Sequence, residues 1–222
     1  METGLENCGL DTEVYHKVYI IESPSDIDLF EKRTEGKALS NILELSEIPY
    51  EYCLTTTKNI FNQAFELIKE DILELQEEYL FVWPIIHLSC HGNEKGIGLT
   101  DGDFISWSAL NDLLSVVNVC FNEADPVSPI LLSMSSCYGL HAIKADWEKR
   151  GKRSPFAFVL GHEDTILWDD ALIAFSVFFH NFVKKKSTSE IAVQCMNTSI
   201  NLPEHFKLFN STECYEVFKG NK

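Results

Sequence analysis

The stretch IIHLSCHG at residues 85–92 runs from two isoleucines into two histidines, a cysteine and a glycine. Its apolar first half predicts a buried strand, so the imidazole of His91 is expected where that strand ends. A second stretch, ILLSMSSCYG at 130–139, repeats this pattern and places Cys137 just after another short apolar run. The two stretches therefore predict a pair of strands that each end in a reactive side chain.

The rest of the chain alternates apolar runs of strand length with longer segments of helical period. Alternation of this kind predicts an α/β fold with a mostly parallel sheet and helices on both faces. Ser106 is the predicted cap of the helix that follows it. Predicted strands cover 17–23, 50–56, 83–90, 128–136 and 154–161, and predicted helices cover 30–48, 59–80, 106–117, 169–185 and 187–197.

Two further local signals concern the last part of the chain. Ser187 and Glu190 have the spacing of a capping box at the start of the last predicted helix. Residues 205–218 are interpreted as a hairpin or a late edge strand that turns at Asn210 and Ser211. Neither signal carries chemistry, so both bear on the fold alone.

Composition narrows the class of protein. A chain of 222 residues that is 45% hydrophobic can bury a full core, and we expect one domain over residues 1–222. Its 34 acidic and 18 basic residues give a formal charge of -16, which disfavours nucleic acid as a partner and favours cationic partners or substrates.

The cysteines and the apolar runs indicate the compartment. Seven cysteines, an odd number at scattered spacings, predict reduced thiols. No apolar run has the length of a membrane span, and the first residues lack the pattern of a signal peptide. We therefore expect a cytoplasmic protein without a membrane partner.

The chemistry that suits His91 and Cys137 is acyl transfer. Loops at the carboxyl ends of parallel strands open on one edge of the sheet, so the two side chains meet there if their strands are neighbours. An imidazole beside a thiol favours the thiolate, which is the nucleophile. The backbone N–H groups of Gly92 and Cys137 are the predicted donors to the oxyanion. No cofactor and no metal is required.

These stretches, followed by FVLGHEDTILWDDALIAFSVFFHNF at 158–182, resemble the caspase-like (clan CD) cysteine peptidases and are most similar to the bacterial CHAT domains. The resemblance covers roughly residues 15–200 and implies a caspase-like three-layer sandwich. It implies that His91 and Cys137 form a catalytic dyad and that Gly92 serves the oxyanion hole. It also explains residues 98–114 as a short hairpin, an acidic or glycine turn and a helix.

The same resemblance implies a role and partners. It implies a cysteine endopeptidase that acts on a protein substrate as a signal-activated bacterial effector, as in antiviral defence. Because CHAT domains often come joined to a sensor of helical repeats, which this chain lacks, we expect a separate sensor or activator protein or a ligand. Relatives are often cut between their two halves, which here lie on either side of the basic loop 144–154.

Substrate specificity is harder to predict. Many relatives with basic specificity have an acid two residues before the nucleophile, where this chain has Ser135. In the fold that the resemblance implies, loops after the first, fourth and fifth strands contact the residue before the cut bond. Glu163, Asp164 and Asp169 are therefore candidates to bind a cationic side chain, although each could instead cap a helix.

Three other interpretations stay open beside the peptidase. The chain could be a catalytically silent caspase-like module that binds a protein or small molecule in the same cleft. His87, Cys90 and His91 are good zinc ligands, but an extended segment does not place them on one face. A nucleotide-binding fold would have a glycine-rich loop after the first strand, where this chain has the acidic ESPSDID at 22–28.

Overall fold

One sheet of eight strands organises the molecule, and the computed structural model describes residues 11–122, 127–143 and 154–214. Six strands lie in the order β2-β1-β3-β6-β7-β8, and the short strands β4 and β5 extend from β3 as a hairpin. The strands are β1 (Asp11–Ser23), β2 (Tyr50–Leu54), β3 (Tyr79–Asn93), β4 (Gly96–Gly98), β5 (Phe104–Ser106), β6 (Leu131–Ser135), β7 (Phe158–Gly161) and β8 (Lys207–Asn210).

Helices cover both faces of this sheet. They are α1 (Asp26–Phe30), α2 (Glu35–Leu45), α3 (Lys58–Leu75), α4 (Trp107–Asn118), α5 (Trp168–Phe179) and α6 (Ser189–Ser199), with a 3₁₀ turn at Gly139–Ile143 and a π-helical turn at His180–Lys184. The predicted α/β fold with a mostly parallel sheet is confirmed, because β2, β1, β3, β6 and β7 all pair in parallel and β8 alone pairs antiparallel among the six.

Side chains that alternate along the strands feed two separate cores. On one face, Ile86 and Leu88 of β3 pack with α3 and α4, through residues such as Phe65 and Leu114. On the other face, Ile85 packs with α2, α5 and α6. A helix layer on each side of the sheet gives the expected three-layer sandwich. The alternation also decides which face each polar strand residue occupies.

The helix predicted over 30–48 is present as α2, but it begins only at Glu35 and ends at Leu45, so the predicted bounds were wrong. α1 ends at Phe30, and Lys32 adopts the left-handed conformation with φ 61°, which interrupts the helix before α2 begins. The buried carboxylate of Glu22 on β1 accepts hydrogen bonds from the N–H groups of Gly36 and Lys37, at 2.8 and 3.0 Å. A residue distant in sequence therefore caps α2, which no local pattern could indicate.

The end of the described chain confirms one local prediction and corrects another. β8 is the expected late edge strand, and its last residue, Asn210, begins the turn and accepts hydrogen bonds from the N–H groups of Thr212 and Glu213. The cap of α6 is Thr188, which accepts from Ile191, so the capping box predicted from Ser187 and Glu190 was wrong.

The basic loop 144–154, which the sequence suggests as a division between two halves, lies outside the described residues except for Ser154. Within the described residues, every helix is too short or too polar to pass through a bilayer.

Candidate active site

β3, which carries His91 near its end, and β6, which ends two residues before Cys137, are neighbours in the sheet, which is the condition for the two side chains to meet. β3 and β6 pair in parallel, with His87 opposite Ser133 and Ser89 opposite Ser135. These residues share the face covered by α2 and α5, because Ile85 and Leu131 on the same alternation pack there. His91 and Cys137 continue that alternation and emerge at the carboxyl edge of the sheet.

His91 is held by a carboxylate that the sequence prediction did not include. Its Nε2 lies 2.6 Å from Oδ2 of Asp28, which follows β1 on the short helix α1. The side chain of His91 is 51% exposed, whereas that of Asp28 is 6% exposed. The indole of Trp168, the first residue of α5, packs edge-to-face on the imidazole with the ring centroids 5.2 Å apart. One buried acid and one aromatic ring therefore fix the orientation of the imidazole.

Asp28 is kept ionised by its surroundings. Burial alone would raise the pKa of the Asp28 carboxyl, but hydrogen bonds from Ser25 and His91 and the positive charge of Arg33 together lower it below its ordinary value. The hydroxyl of Ser25 donates to Oδ2 at 2.6 Å, and the Nε and a terminal nitrogen of Arg33 both lie 2.9 Å from Oδ1. The carboxylate beside His91 is thus negative at neutral pH.

His91 and Cys137 line one cleft of about 660 Å³ at this edge of the sheet. Asp28, Ser136 and Trp168 line it too, together with Arg33, Glu35, Ile166, Leu172 and others. Cys137 is half-buried, and its Sγ lies 3.9 Å from the carbonyl oxygen of Ile166. Cys137 and His91 therefore line the same cleft.

The loop that carries Cys137 is held in an uncommon conformation. Tyr138 has φ 58°, in the left-handed region that a tyrosine rarely occupies. The N–H of Tyr138 donates to the carbonyl of Asp164, and the N–H of Leu140 donates to the carbonyl of His162, at 2.8 and 3.0 Å. Backbone strain maintained by such contacts is typical of functional turns. The loop after β7 therefore holds the turn that presents Cys137.

Gly92 is required where the two strand ends approach each other. A Cβ on Gly92 would collide with the backbone oxygen of Cys137 and press on the side chain of Ser136. Gly139 is required for a similar reason, since a Cβ there would lie 2.7 Å from the Cβ of Met134. Both glycines that follow the predicted reactive residues thus allow β3 and the loop after β6 to pack closely.

The three acids suggested for substrate binding lie in different places. Asp169, in the first turn of α5, lines the cleft with Cys137. Glu163 and Asp164 do not line that cleft. The carboxylate of Glu163 pairs with Lys207 of β8 at 3.2 Å, and Oδ1 of Asp164 accepts from the N–H of Thr165. The structure brings only Asp169 of these three to the thiol and the imidazole.

Asp28 and Trp168 are the site residues that sequence reasoning missed. Asp28 lies in the acidic segment 22–28 after the first strand. That segment served only as an argument against a nucleotide-binding fold, because it is not rich in glycine. Its position was a usable signal, because loops at the carboxyl ends of strands collect functional groups. Trp168 gave no separate signal, since an aromatic residue at a helix start is common.

The alternation along β3 separates the possible metal ligands. His87 lies on the α2 and α5 face, where its Nδ1 is 2.9 Å from the hydroxyl of Ser133 and Phe175 packs against its ring. Cys90 lies in the opposite core, and burial raises the pKa of its thiol to about 12. Across the parts of the chain that the structure describes, no three histidine, cysteine or acidic side chains converge as a metal site would require.

Buried His162, beneath the loop that carries Cys137, makes the stability of the fold depend on pH. Its side chain is 0% exposed and stacks on His205 with ring centroids 4.8 Å apart. Burial, together with repulsion from His205, lowers the pKa of His162 to about 4. Because an unfolded histidine titrates near pH 6.5, the unfolded chain binds the proton first. We expect the free energy of unfolding to fall by roughly 3 kcal/mol as pH drops from about 6.5 to 4.

Urea unfolding of wild type and of His162→Phe, across this pH window, checks the expectation. Phenylalanine keeps the stacking on His205 and the edge-to-face contact with Phe206 but cannot bind a proton, so the variant should lose most of the slope of stability against pH. His180→Gln, at the exposed end of α5, is the matched control and should keep it. Equal slopes in wild type and His162→Phe would show that another group causes the acid sensitivity.

Solved structures share the fold described above, while no protein-family model and no curated protein sequence matches the chain. A secreted C11 cysteine protease from Bacteroides thetaiotaomicron, in complex with an irreversible peptide inhibitor, is 10% identical, with a TM-score of 0.53 over 91% of this chain and 67% of that chain. The Arg-specific cysteine proteinase gingipain R is 10% identical, with a TM-score of 0.50 over 90% of this chain and 46% of that chain.

At this level of identity the likeness concerns the fold and not the activity. The chain also spans less than half the length of the gingipain R chain. The closer similarity to CHAT domains stays a prediction. The shared feature is the mostly parallel sheet with helices on both faces, so this chain has the caspase-like α/β fold of these cysteine proteases.

Proposed function

We propose that this chain is a cysteine endopeptidase in which Cys137 is the nucleophile and His91 is the acid and base. The observation that carries the proposal is the cleft in which a thiol and an imidazole fixed by a buried carboxylate lie together. Two structures with this fold are cysteine proteases, and one of them is bound by an irreversible peptide inhibitor. Those names support the reaction class, and the shared cleft supports the choice of Cys137 and His91.

The carboxylate of Asp28 selects the form of the imidazole. An ionised carboxylate only accepts hydrogen bonds, so the ring proton of neutral His91 resides on Nε2 and is donated to Asp28. The other nitrogen, Nδ1, then has the lone pair that can take a proton. Asp28 acts on the reaction through His91 and is therefore a positioning residue.

The reaction follows from these assignments. The thiol proton of Cys137 passes to Nδ1 of His91, and Sγ attacks the carbonyl carbon of a peptide bond to give a tetrahedral oxyanion. When this collapses, the C–N bond breaks, the imidazolium gives its proton to the departing amine, and an acyl-enzyme remains. Water, deprotonated by His91, then releases the acid and restores the thiol.

Two backbone N–H groups are suited to stabilise the oxyanion. Among the residues described, none accepts a hydrogen bond from the N–H of Cys137. A two-residue turn, Glu94 and Lys95, joins β3 to β4, so the pair that closes it, Asn93 and Gly96, is hydrogen-bonded. Hydrogen-bonded and non-hydrogen-bonded pairs alternate along an antiparallel ladder, so the N–H of Gly92 points away from β4. Donors of this kind act where the negative charge develops.

The identity of the substrate and the means of activation are also proposals. A protein substrate fits an endopeptidase, and Asp169 at the cleft wall is retained as a candidate contact. The role as a bacterial effector switched on by a separate sensor protein or ligand stays a prediction.

The proposal is tested by incubating the reduced protein with a library of peptides derived from unfolded proteins. Mass spectrometry then identifies the new N-termini that cleavage produces in those peptides. A peptidase produces termini that share a residue preference around the cut bond. A catalytically silent module binds peptides without producing termini. Failure of the folded wild-type protein to produce any terminus above the level of a buffer control would contradict the proposal.

A further inference from the structure

The wall of the cleft contains a buried acid that has no hydrogen-bond partner among the residues described. Glu35, the first residue of α2, lines the cleft together with Ser136 and Cys137. Its side chain is 0% exposed, and among the residues described neither carboxylate oxygen has a hydrogen-bond partner. The buried hydroxyl of Ser136 also lacks a partner there. Buried polar atoms are nearly always paired, so both groups require an explanation.

The neighbours of Glu35 increase the free-energy cost of burying its charge. Glu22 lies close enough for the negative charge of Glu35 to raise the pKa of the Glu22 carboxyl further, beyond the rise that burial causes. Glu22 is itself satisfied by the N–H groups of Gly36 and Lys37 and by the hydroxyl of Tyr52, whereas Glu35 is not. Two acids in one buried place make a negative potential that favours a cation.

The two cations on either side of Glu35 in the chain are engaged by other groups. Arg33 pairs with Asp28 and Glu31, and the ammonium of Lys37 lies over the ring of Tyr52. The only ring nitrogen near Glu35 among the described side chains is Nε2 of His87, at 3.7 Å, which is too long for a hydrogen bond. No side chain described here therefore neutralises Glu35 at hydrogen-bond distance.

Resting on the peptidase function proposed above, we propose that Glu35 is the specificity-determining residue that receives a cationic side chain, arginine or lysine, from the substrate residue before the cut bond. Cys137 attacks the carbonyl of that residue, so its side chain enters the part of the cleft nearest to Cys137 and Ser136. A guanidinium offers planar donors that match two carboxylate oxygens, and an ammonium offers a compact charge.

The position of the carboxylate implies a movement on binding. Glu35 is closed to solvent, so the wall above it has to open as the cationic side chain enters. Lys32, Arg33 and Thr34 form the exposed to half-buried segment immediately before it. Thr34 occupies the cap position of α2 without a side-chain hydrogen bond to the helix, so Thr34 can move without losing such a bond while Arg33 stays bound to Asp28.

The test compares kcat/KM for peptides that differ only in the residue before the cut bond, with arginine, lysine, glutamine or leucine there. Wild type should prefer arginine or lysine over glutamine and leucine by about 100-fold or more. Glu35→Gln, which keeps the shape and removes the charge, should reduce that preference to within about 3-fold by slowing cleavage of the basic peptides alone. Glu74→Gln, an exposed position on α3, is the matched control and should keep the wild-type preference.

A second variant and a binding measurement keep the test independent of folding and of activity. Glu35→Asp keeps the charge but withdraws it by one methylene, so it should keep the preference for basic residues and favour the longer arginine over lysine. In the Cys137→Ala background, calorimetry with benzamidine should show binding that Glu35→Gln removes. A wild-type profile without preference for basic residues, an unchanged profile in Glu35→Gln, or benzamidine binding that ignores Glu35 would each overturn the inference. If no peptide is cut, the binding result alone still decides it.

Discussion

Replacing Cys137 by alanine is expected to abolish peptide hydrolysis, with kcat/KM lowered by about 10⁴-fold or more. The sulfur is the atom that forms the covalent bond to the peptide, so no neighbouring group can substitute for it. The fold should survive, because the thiol is half-buried and its contact with the carbonyl of Ile166 is 3.9 Å long. The measurement is the rate of cleavage of the best peptide found in the library, with circular dichroism to check folding.

The matched control is Cys195→Ala. Cys195 lies half-buried on α6, away from the cleft that contains Cys137. Its replacement removes the same chemical group and should leave the cleavage rate within about 2-fold of wild type. Cleavage by the Cys137→Ala protein at the wild-type rate would mean that another residue, or another protein in the preparation, is the peptidase.

Replacing Asp28 by asparagine is expected to lower kcat by about 10²- to 10⁴-fold with little change in KM. Asparagine has the same shape but no charge, so it neither fixes the proton on Nε2 of His91 nor stabilises the imidazolium that forms during the reaction. The loss should appear in kcat because Asp28 acts through His91 after the substrate is bound.

Asp26→Asn is the control for this change, since Asp26 is exposed on the same short helix α1. It should leave kcat and KM near their wild-type values. The stability of Asp28→Asn has to be measured as well, because the carboxylate of Asp28 also binds Ser25 and Arg33. A variant that is folded and has wild-type kcat would show that Asp28 does not position His91 for catalysis. The orientation of His91 would then depend on Trp168 alone.

Much of the sheet could be predicted from sequence because its inner strands are short apolar runs between helical segments. The shared pattern of the two stretches placed His91 and Cys137 at the carboxyl ends of their strands, and the pairing of β3 with β6 then brings them to one edge. Alternation along β3 correctly assigned Cys90 to the other face. These predictions rest on local composition and on the two-residue period of a strand, which a single sequence displays.

The parts that were missed depend on contacts between distant residues. Nothing in the local sequence shows that Glu22 caps α2, or that Asp28 approaches His91, 63 positions away in the chain. The acids suggested for the substrate were chosen for their position after the fifth strand, yet Glu163 is engaged by Lys207. Glu35 was passed over for a similar reason, since an acid in the first turn of a helix usually favours the helix dipole.

The most direct measurement is covalent labelling with a peptide chloromethyl ketone that carries the preferred residue, followed by mass spectrometry of the digested protein. We expect a single modification, on the sulfur of Cys137, and none at the other cysteines. In His91→Ala the rate of this modification should be much lower. Modification that spreads over several cysteines at similar rates, or that proceeds equally fast without the imidazole of His91, would contradict the claim that this thiol and this imidazole work together in one cleft.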